Sequence, residues 1–240
     1  MEKSIICHFF YPENSQKLLR SLIQIDDKKT LFLINIQGDT YEHELLANEV
    51  EQKLSNVKIL KIPNKGRDIG AKLFLINLLL ELKIDSAYTL IIHDKKSSHV
   101  EGGSYWRDEL LKIIEPGSIN KVIEIFERKL EIGIIATAKF IQNEYLENSD
   151  SFACNCSQLI KELLKKYQIK PLNYDFVAGN IFWIRTNLLQ SFFKNRSIAK
   201  IRGELEMGNI MDFNKGTYVH SWERIISWIA SSQGHTLYGL

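Results

Sequence analysis

The chain has 240 residues, with 31 Lys plus Arg against 29 Asp plus Glu, and a formal net charge of +2. No global field therefore draws it to nucleic acid or anionic lipid. Hydrophobic residues at 45% and charged residues at 25% are globular values, which excludes disorder for the bulk and suits one sizeable core.

The three cysteines, Cys7, Cys154 and Cys156, form neither a paired zinc pattern nor an even disulfide framework, so a reducing cytoplasm is expected. No secretory signal is evident, because Met1-Glu2-Lys3 precedes a short apolar run that Asn14-Ser15-Gln16 ends. The longest apolar stretch, residues 73–82, is about half a membrane span and is interrupted by Asn77. A soluble protein is expected, with peripheral membrane association left open.

Strand and helix patterns alternate from the start. Residues 4–10 read as a strand. Leu18, Leu19, Leu22 and Ile23 then mark one face of a helix that Asn14 or Ser15 would cap. Residues 30–36 read as a second strand and 41–54 as a helix with Leu45, Leu46, Val50 and Leu54 inward. A third strand over 57–62, a buried helix over 71–82 and a fourth strand over 87–92 complete three βα units feeding a fourth strand. That order predicts an α/β fold with a mostly parallel sheet and helices on both faces.

The second half is less regular. Helices are expected over 104–114 and 118–130, a strand over 132–136, a loop over 142–156 and an amphipathic helix through Leu159 to Tyr167. A strand over 176–184 and a helix through Trp222, Ile225, Ile226 and Ile229 follow. The polar stretches 142–156 and 195–216 are candidate lids.

Five blocks carry candidate chemistry. Asn64-Lys65-Gly66-Arg67-Asp68 lies at the carboxyl end of a strand, where open α/β sheets bind ligands, and its cations suit phosphate oxygens. His93-Asp94-Lys95-Lys96-Ser97 leaves the fourth strand on the same rim, with lysines and a hydroxyl able to hold a diphosphate. His93 and Asp94 could also shuttle a proton or bind metal, but no cysteine at zinc spacing joins them. Arg107 occupies the first turn of a helix opened by Gly102-Gly103-Ser104, where a cation favours an anionic ligand. Ala178 and Gly179, inside an apolar run ending in Trp183, leave room for something flat or for a close crossing. His220, Glu223 and Arg224, at i, i+3 and i+4, make a general base with an orienting partner, or a solvated ion pair.

Taken in order, NKGRDIG, HDKKS, YWRDEL, FVAGNIFWIR and GTYVHSWER resemble the rhamnan synthesis protein F family of bacterial surface-polysaccharide glycosyltransferases. The resemblance runs from His8 to Trp228 and implies a single GT-A-like, Rossmann-like domain over 1–240. Residues 1–100 would be its nucleotide-binding half and 101–240 its acceptor-side half.

By that resemblance, Phe10, Tyr11, Asn64, Lys65, Gly66, Arg67, Asp68, His93, Lys95, Lys96, Ser97 and Arg107 would hold the donor. Ala178, Gly179 and Trp183 would border the acceptor, and Glu223, His220 and Asp94 would be catalytic, with Glu223 as the base of an inverting transfer. The donor would be a dTDP-, UDP- or GDP-sugar, with L-rhamnose suggested by the family name. The acceptor would be a glycan or lipid-linked glycan at the inner face of the plasma membrane. His93-Asp94-Lys95 stands where such enzymes carry a two-aspartate metal motif. One carboxylate is a poor Mg²⁺ or Mn²⁺ site, which leaves metal-dependent and metal-independent transfer both open. A non-catalytic nucleotide-sugar-binding or assembly module is the alternative, and an α/β phosphoesterase using His93 and Asp94 a third.

Overall fold

The computed structural model describes residues 2–94, 108–210 and 216–240. Its strands are β1 (Lys3–Phe9), β2 (Thr30–Ile36), β3 (Val57–Leu60), β4 (Tyr88–His93), β5 (Ile132–Ala136), β6 (Ile141–Asn143), β7 (Tyr145–Leu146), β8 (Ser151–Phe152), β9 (Asp175–Val177), β10 (Phe182–Arg185) and β11 (Thr236–Gly239). Its helices are α1 (Pro12–Gln24), α2 (Tyr41–Lys53), α3 (Arg67–Glu81), α4 (Pro116–Arg128), α5 (Ser157–Lys166), α6 (Thr186–Phe193), α7 (Ile198–Glu204) and α8 (Tyr218–Ser231).

Seven strands form one sheet in the order β11-β5-β10-β4-β1-β2-β3. β1 runs parallel to β2 and β4, β2 to β3, and β5 to β11, while β10 is antiparallel to both its neighbours. Both halves of the chain thus feed the same sheet and one continuous apolar core. Every residue of β1, β2 and β5 is buried, which accounts for the unbroken apolar runs in the sequence.

Right-handed crossovers place α1 and α2 on one face as the chain moves from β1 out to β3. The return from β3 to β4 reverses direction, so α3 lies on the other face. Accordingly α1 packs beside α2, whereas α3 packs on β1 and β2 and against α7 and α8.

Four local expectations need correction. Ser15 does not cap α1, which starts on Pro12; its hydroxyl bonds Tyr11 O and the Asp94 carboxylate instead. Leu45 is exposed on α2. Residues 142–156 hold the short strands β7 and β8 and a 3-10 turn rather than an open loop. The run 176–184 is two strands, because the chain leaves β9, which pairs with β6, to enter β10 in the main sheet. Gly179 (φ +87) and Asn180 (φ +49) make that turn in the left-handed region. Helices α6 and α7 and strand β11 have no counterpart among the expected elements.

Candidate functional site

β1 connects to β2 on one side and borders β4 on the other, so the carboxyl ends of β1 and β4 mark the point where strand order reverses. His8 and His93 stand opposite each other there. The residue that organises this point is Lys72, which is 0% exposed on a helix otherwise rich in leucine and isoleucine. Its ammonium donates to Asp68 Oδ2 (3.0 Å), to Asn180 O (2.9 Å) and lies 2.9 Å from His93 Nδ1. Asp68 Oδ2 is also 3.8 Å from His93 Nδ1.

Burial opposes ionisation of Asp68, but the Lys72 charge, then His93, overcome it and hold its carboxyl well below the usual range. Burial lowers His8 to about 4, with Asp68 pulling upward and Lys72 adding to the fall. Its Nδ1 lies 2.8 Å from Asn35 Nδ2, and Asn35 Oδ1 accepts from Ile62 N (3.1 Å). Two bonded groups meet here, His8 with Asn35 across β1 and β2 and Asp68, Lys72 and His93 across α3 and β4, and the Asp68 and Lys72 charges act on His8 to make them one polar cluster.

Asp94 is 4% exposed and turns inward. Its carboxylate accepts from Phe10 N (2.9 Å), from Tyr11 N and from Ser15 Oγ (2.7 Å), which fixes the exit of β1. Burial pushes its carboxyl up to about 7, against the pull of those hydrogen bonds. Asp94 thus holds the exit of β1 through both of its carboxylate oxygens. With both oxygens committed to local donors, it does not fit a metal. Among the described residues no three His, Cys, Asp or Glu are grouped as a metal ion would require.

The block 64–70 is docked onto the segment after α7. Gly66 N donates to Glu206 O (2.7 Å), Lys65 bridges Met207, and Asn64 Nδ2 donates to Asn209 Oδ1 (3.1 Å). Arg202 donates to Pro63 O (2.8 Å) and Gly70 O (3.1 Å). Gly70 has to be glycine here, since a Cβ would lie 1.7 Å from Lys65 O. The clustered glycines thus answer chain crossing, and Asp68 alone of the block enters the polar cluster. Lys95, Lys96, Ser97 and Arg107 lie outside the described residues.

The turn after β9 joins the cluster to α8. Gly179 N donates to Glu223 Oε1 (3.0 Å), while the next residue, Asn180, offers its carbonyl to Lys72. Glu223 Oε2 is 3.7 Å from Arg224 Nη1, and the Glu223 side chain is 24% exposed. Thr217 caps α8 through His220 N (3.1 Å), and its hydroxyl lies 2.9 Å from His220 Nδ1. Glu206 adds a carboxylate at the same helix end, accepting from Tyr218 N (2.6 Å) and Val219 N (3.2 Å).

Arg224 makes its strong pair with Glu144, bidentately, and donates to His220 O (2.9 Å). Glu144, 80 residues upstream, had no signal in the sequence. Trp183 is buried with its Nε1 on Ile113 O (3.1 Å), so it serves the core and not an acceptor pocket.

Beside Arg224 a cleft of about 460 Å³ is lined by Glu144, Ala153, Cys154, Asn155, Cys156, His220 and Arg224. Cys154 and Cys156 are joined as a disulfide, against the expectation of no pairing, and Cys7 is free and buried. Gly216 (φ +68) packs on them so closely that a Cβ would lie 2.7 Å from Cys156 Cα.

Lys72, Asn35, His8 and Asn180 were missed by the sequence reading. The available signals were a single lysine inside an apolar helix, four residues after Asp68, and strand-end histidine and asparagine on an apolar sheet.

A mostly parallel sheet with helices on both faces, an ionisable cluster at its reversal point and a turn that ties that cluster to α8 define an α/β protein. The chain belongs to the rhamnan synthesis protein F family, whose profile matches residues 2–235. The uncharacterized protein WxcX of two Xanthomonas campestris pv. campestris strains is 23% identical over 233 residues. That match covers 96% of this chain and 32% of WxcX, so the chain spans about a third of these relatives. Mouse xyloside xylosyltransferase 1, in its apo form, superposes with a TM-score of 0.42 at 8% identity, covering 100% of this chain and 85% of that one. Among the described residues no helix is long and apolar enough to cross a membrane.

Proposed function

We propose that the chain is a glycosyltransferase domain that moves a sugar from a nucleotide-sugar donor to a bacterial cell-surface polysaccharide. Family membership supports the pathway, and the ionisable cluster at the sheet's reversal point supports a polar donor held in a GT-A-like manner. L-Rhamnose from its dTDP donor remains the first sugar to test, on the family's description alone.

The observation that carries the mechanism is the posture of Glu223. One oxygen accepts from Gly179 N, which fixes the carboxylate, and the other is left 3.7 Å from Arg224 at the partly exposed rim. In the proposed inverting transfer, Glu223 takes the proton of an acceptor hydroxyl. The hydroxyl oxygen bonds to the anomeric carbon while the bond from that carbon to the diphosphate breaks. The nucleoside diphosphate leaves with the electron pair, and cations preorganised near it would stabilise that charge. Arg224, held by Glu144 and His220 O, orients the base.

The test is a thermal-shift panel of dTDP, UDP, GDP and CMP with EDTA and then Mn²⁺, followed by hydrolysis of the nucleotide sugar that carries whichever nucleotide binds. Glu223→Gln should abolish turnover while retaining the shift. Turnover in that variant removes Glu223 as the base; no shift with any nucleotide removes the transferase reading.

A further inference from the structure

Among the described residues, the buried side-chain atoms lacking a hydrogen-bond partner are Asn180 Nδ2 and Oδ1, Trp222 Nε1, Trp228 Nε1 and His235 Nδ1. Asn180 is the residue with both a donor and an acceptor unsatisfied, and it is 1% exposed. A buried amide without partners is destabilising, so its presence calls for a reason.

Fold does not supply that reason. The backbone of Asn180 is already held at both ends, its N–H on Val177 O (3.1 Å) and its carbonyl on Lys72 Nζ (2.9 Å). Its φ of +49 would be reached more easily by glycine. An asparagine here therefore costs stability twice, once in backbone conformation and once in unsatisfied polar atoms. Such costs gather at ligand sites. Asn180 is also the residue between the two arms of the site, with Glu223 bound to the preceding N–H and the Lys72 cluster bound to its own carbonyl.

We propose that the Asn180 carboxamide reads the sugar of the donor, exchanging hydrogen bonds with a hydroxyl of the hexose, and that Lys72 is the positioning residue that holds it there. The proposal rests on the glycosyltransferase reading and deepens it. A hydroxyl both donates and accepts, which matches an amide presenting one NH₂ and one carbonyl oxygen. A phosphate oxygen only accepts and carries charge. The Lys72 cation is matched by Asp68 at 3.0 Å, and Arg224 is committed to Glu144, so the described residues at this turn leave no surplus positive charge for an anion. A neutral polyhydroxyl group suits the place and a diphosphate does not.

The experiment is calorimetric titration of the wild type, Asn180→Gly and Asn180→Asp with UDP, dTDP and GDP and with UDP-glucose, dTDP-rhamnose and GDP-mannose. Asn180→Gly removes the amide and keeps the left-handed backbone accessible. For whichever pair binds, it should weaken the nucleotide sugar at least tenfold more than the free diphosphate. Equal weakening of both is what a merely structural role gives; it overturns this proposal and leaves the transferase reading standing. A wild type that binds none of the six overturns the transferase reading, and this proposal falls with it. Should Asn180→Gly prove unfolded by its Tm, Asn180→Asp, which keeps the shape, is read by the same ratio, with selective loss supporting the proposal and equal loss overturning it.

Discussion

Strands β1 and β4 carry two buried polar clusters on the same face, about 13 Å apart by strand rise, and the two are built to opposite ends. At the start of the strands, Ser4, Ser86, Thr186 and Thr89 form a closed ring of hydroxyls at 3.1, 3.2, 2.8 and 2.8 Å. At the end, in register four residues later, His8, His93, Lys72, Asp68 and Asn35 form an ionisable cluster that adjoins Asn180, whose amide is unsatisfied. The ring is neutral and complete, so it staples β1, β4 and the start of α6 together. The other cluster spends stability on charge and an open amide. The comparison teaches that a buried polar group signals a site by what it leaves unsatisfied, and not by being polar.

The largest effect that tests this contrast is at Lys72. Lys72→Met should destabilise by about 3 kcal/mol, the low end for breaking a buried pair, because the Asp68 side chain is 23% exposed. Adding Asp68→Leu should recover most of that stability in urea unfolding while nucleotide-sugar binding stays lost. Recovery of binding in the double variant would mean that the ionisable cluster is structural, like the ring.

Thr89→Val should cost about 1–2 kcal/mol by opening the ring, with no change in ligand binding measured in the same preparation. A binding defect would erase the distinction between the two ends of the strands.

The smallest effect is in pH dependence. His8, lowered from 6.5 to about 4, contributes stability that is present above 6.5 and lost as pH falls through 4. Asp94, raised from 3.8 to about 7, contributes stability that is present below 3.8 and lost as pH rises through 7. The two trends oppose each other over nearly the same window, so the wild-type profile should be shallow there. Asp94→Asn removes the falling trend, and its unfolding free energy should climb more steeply than wild type between pH 4 and 6.5. Parallel profiles would show that Asp94 keeps its charge throughout the window.

Much of this was legible in the chain. Apolar runs of four to seven residues alternating with helical periodicity specified the parallel half of the sheet, since β1 to β4 and α1 to α3 lie within a few residues of the expected spans. The block around Asp68 and the α8 triplet were also visible, because turn residues and i, i+3, i+4 spacing are local signals. The loop 142–156 was misread because β7 and β8 are too short to show a period and are held by pairing.

What tertiary structure decided is which charges meet. The local pattern aims Asp94 at a ligand, yet backbone N–H groups of Phe10 and Tyr11, more than 80 residues away in sequence, turn it inward. The resemblance puts Trp183 at an acceptor wall, whereas its indole is buried with its N–H on a carbonyl 70 residues upstream. Periodicity records how a segment divides between core and solvent, a property of that segment alone. Which buried donor finds which acceptor depends on the crossings of β4, α3, β10 and α8, and no local pattern encodes those.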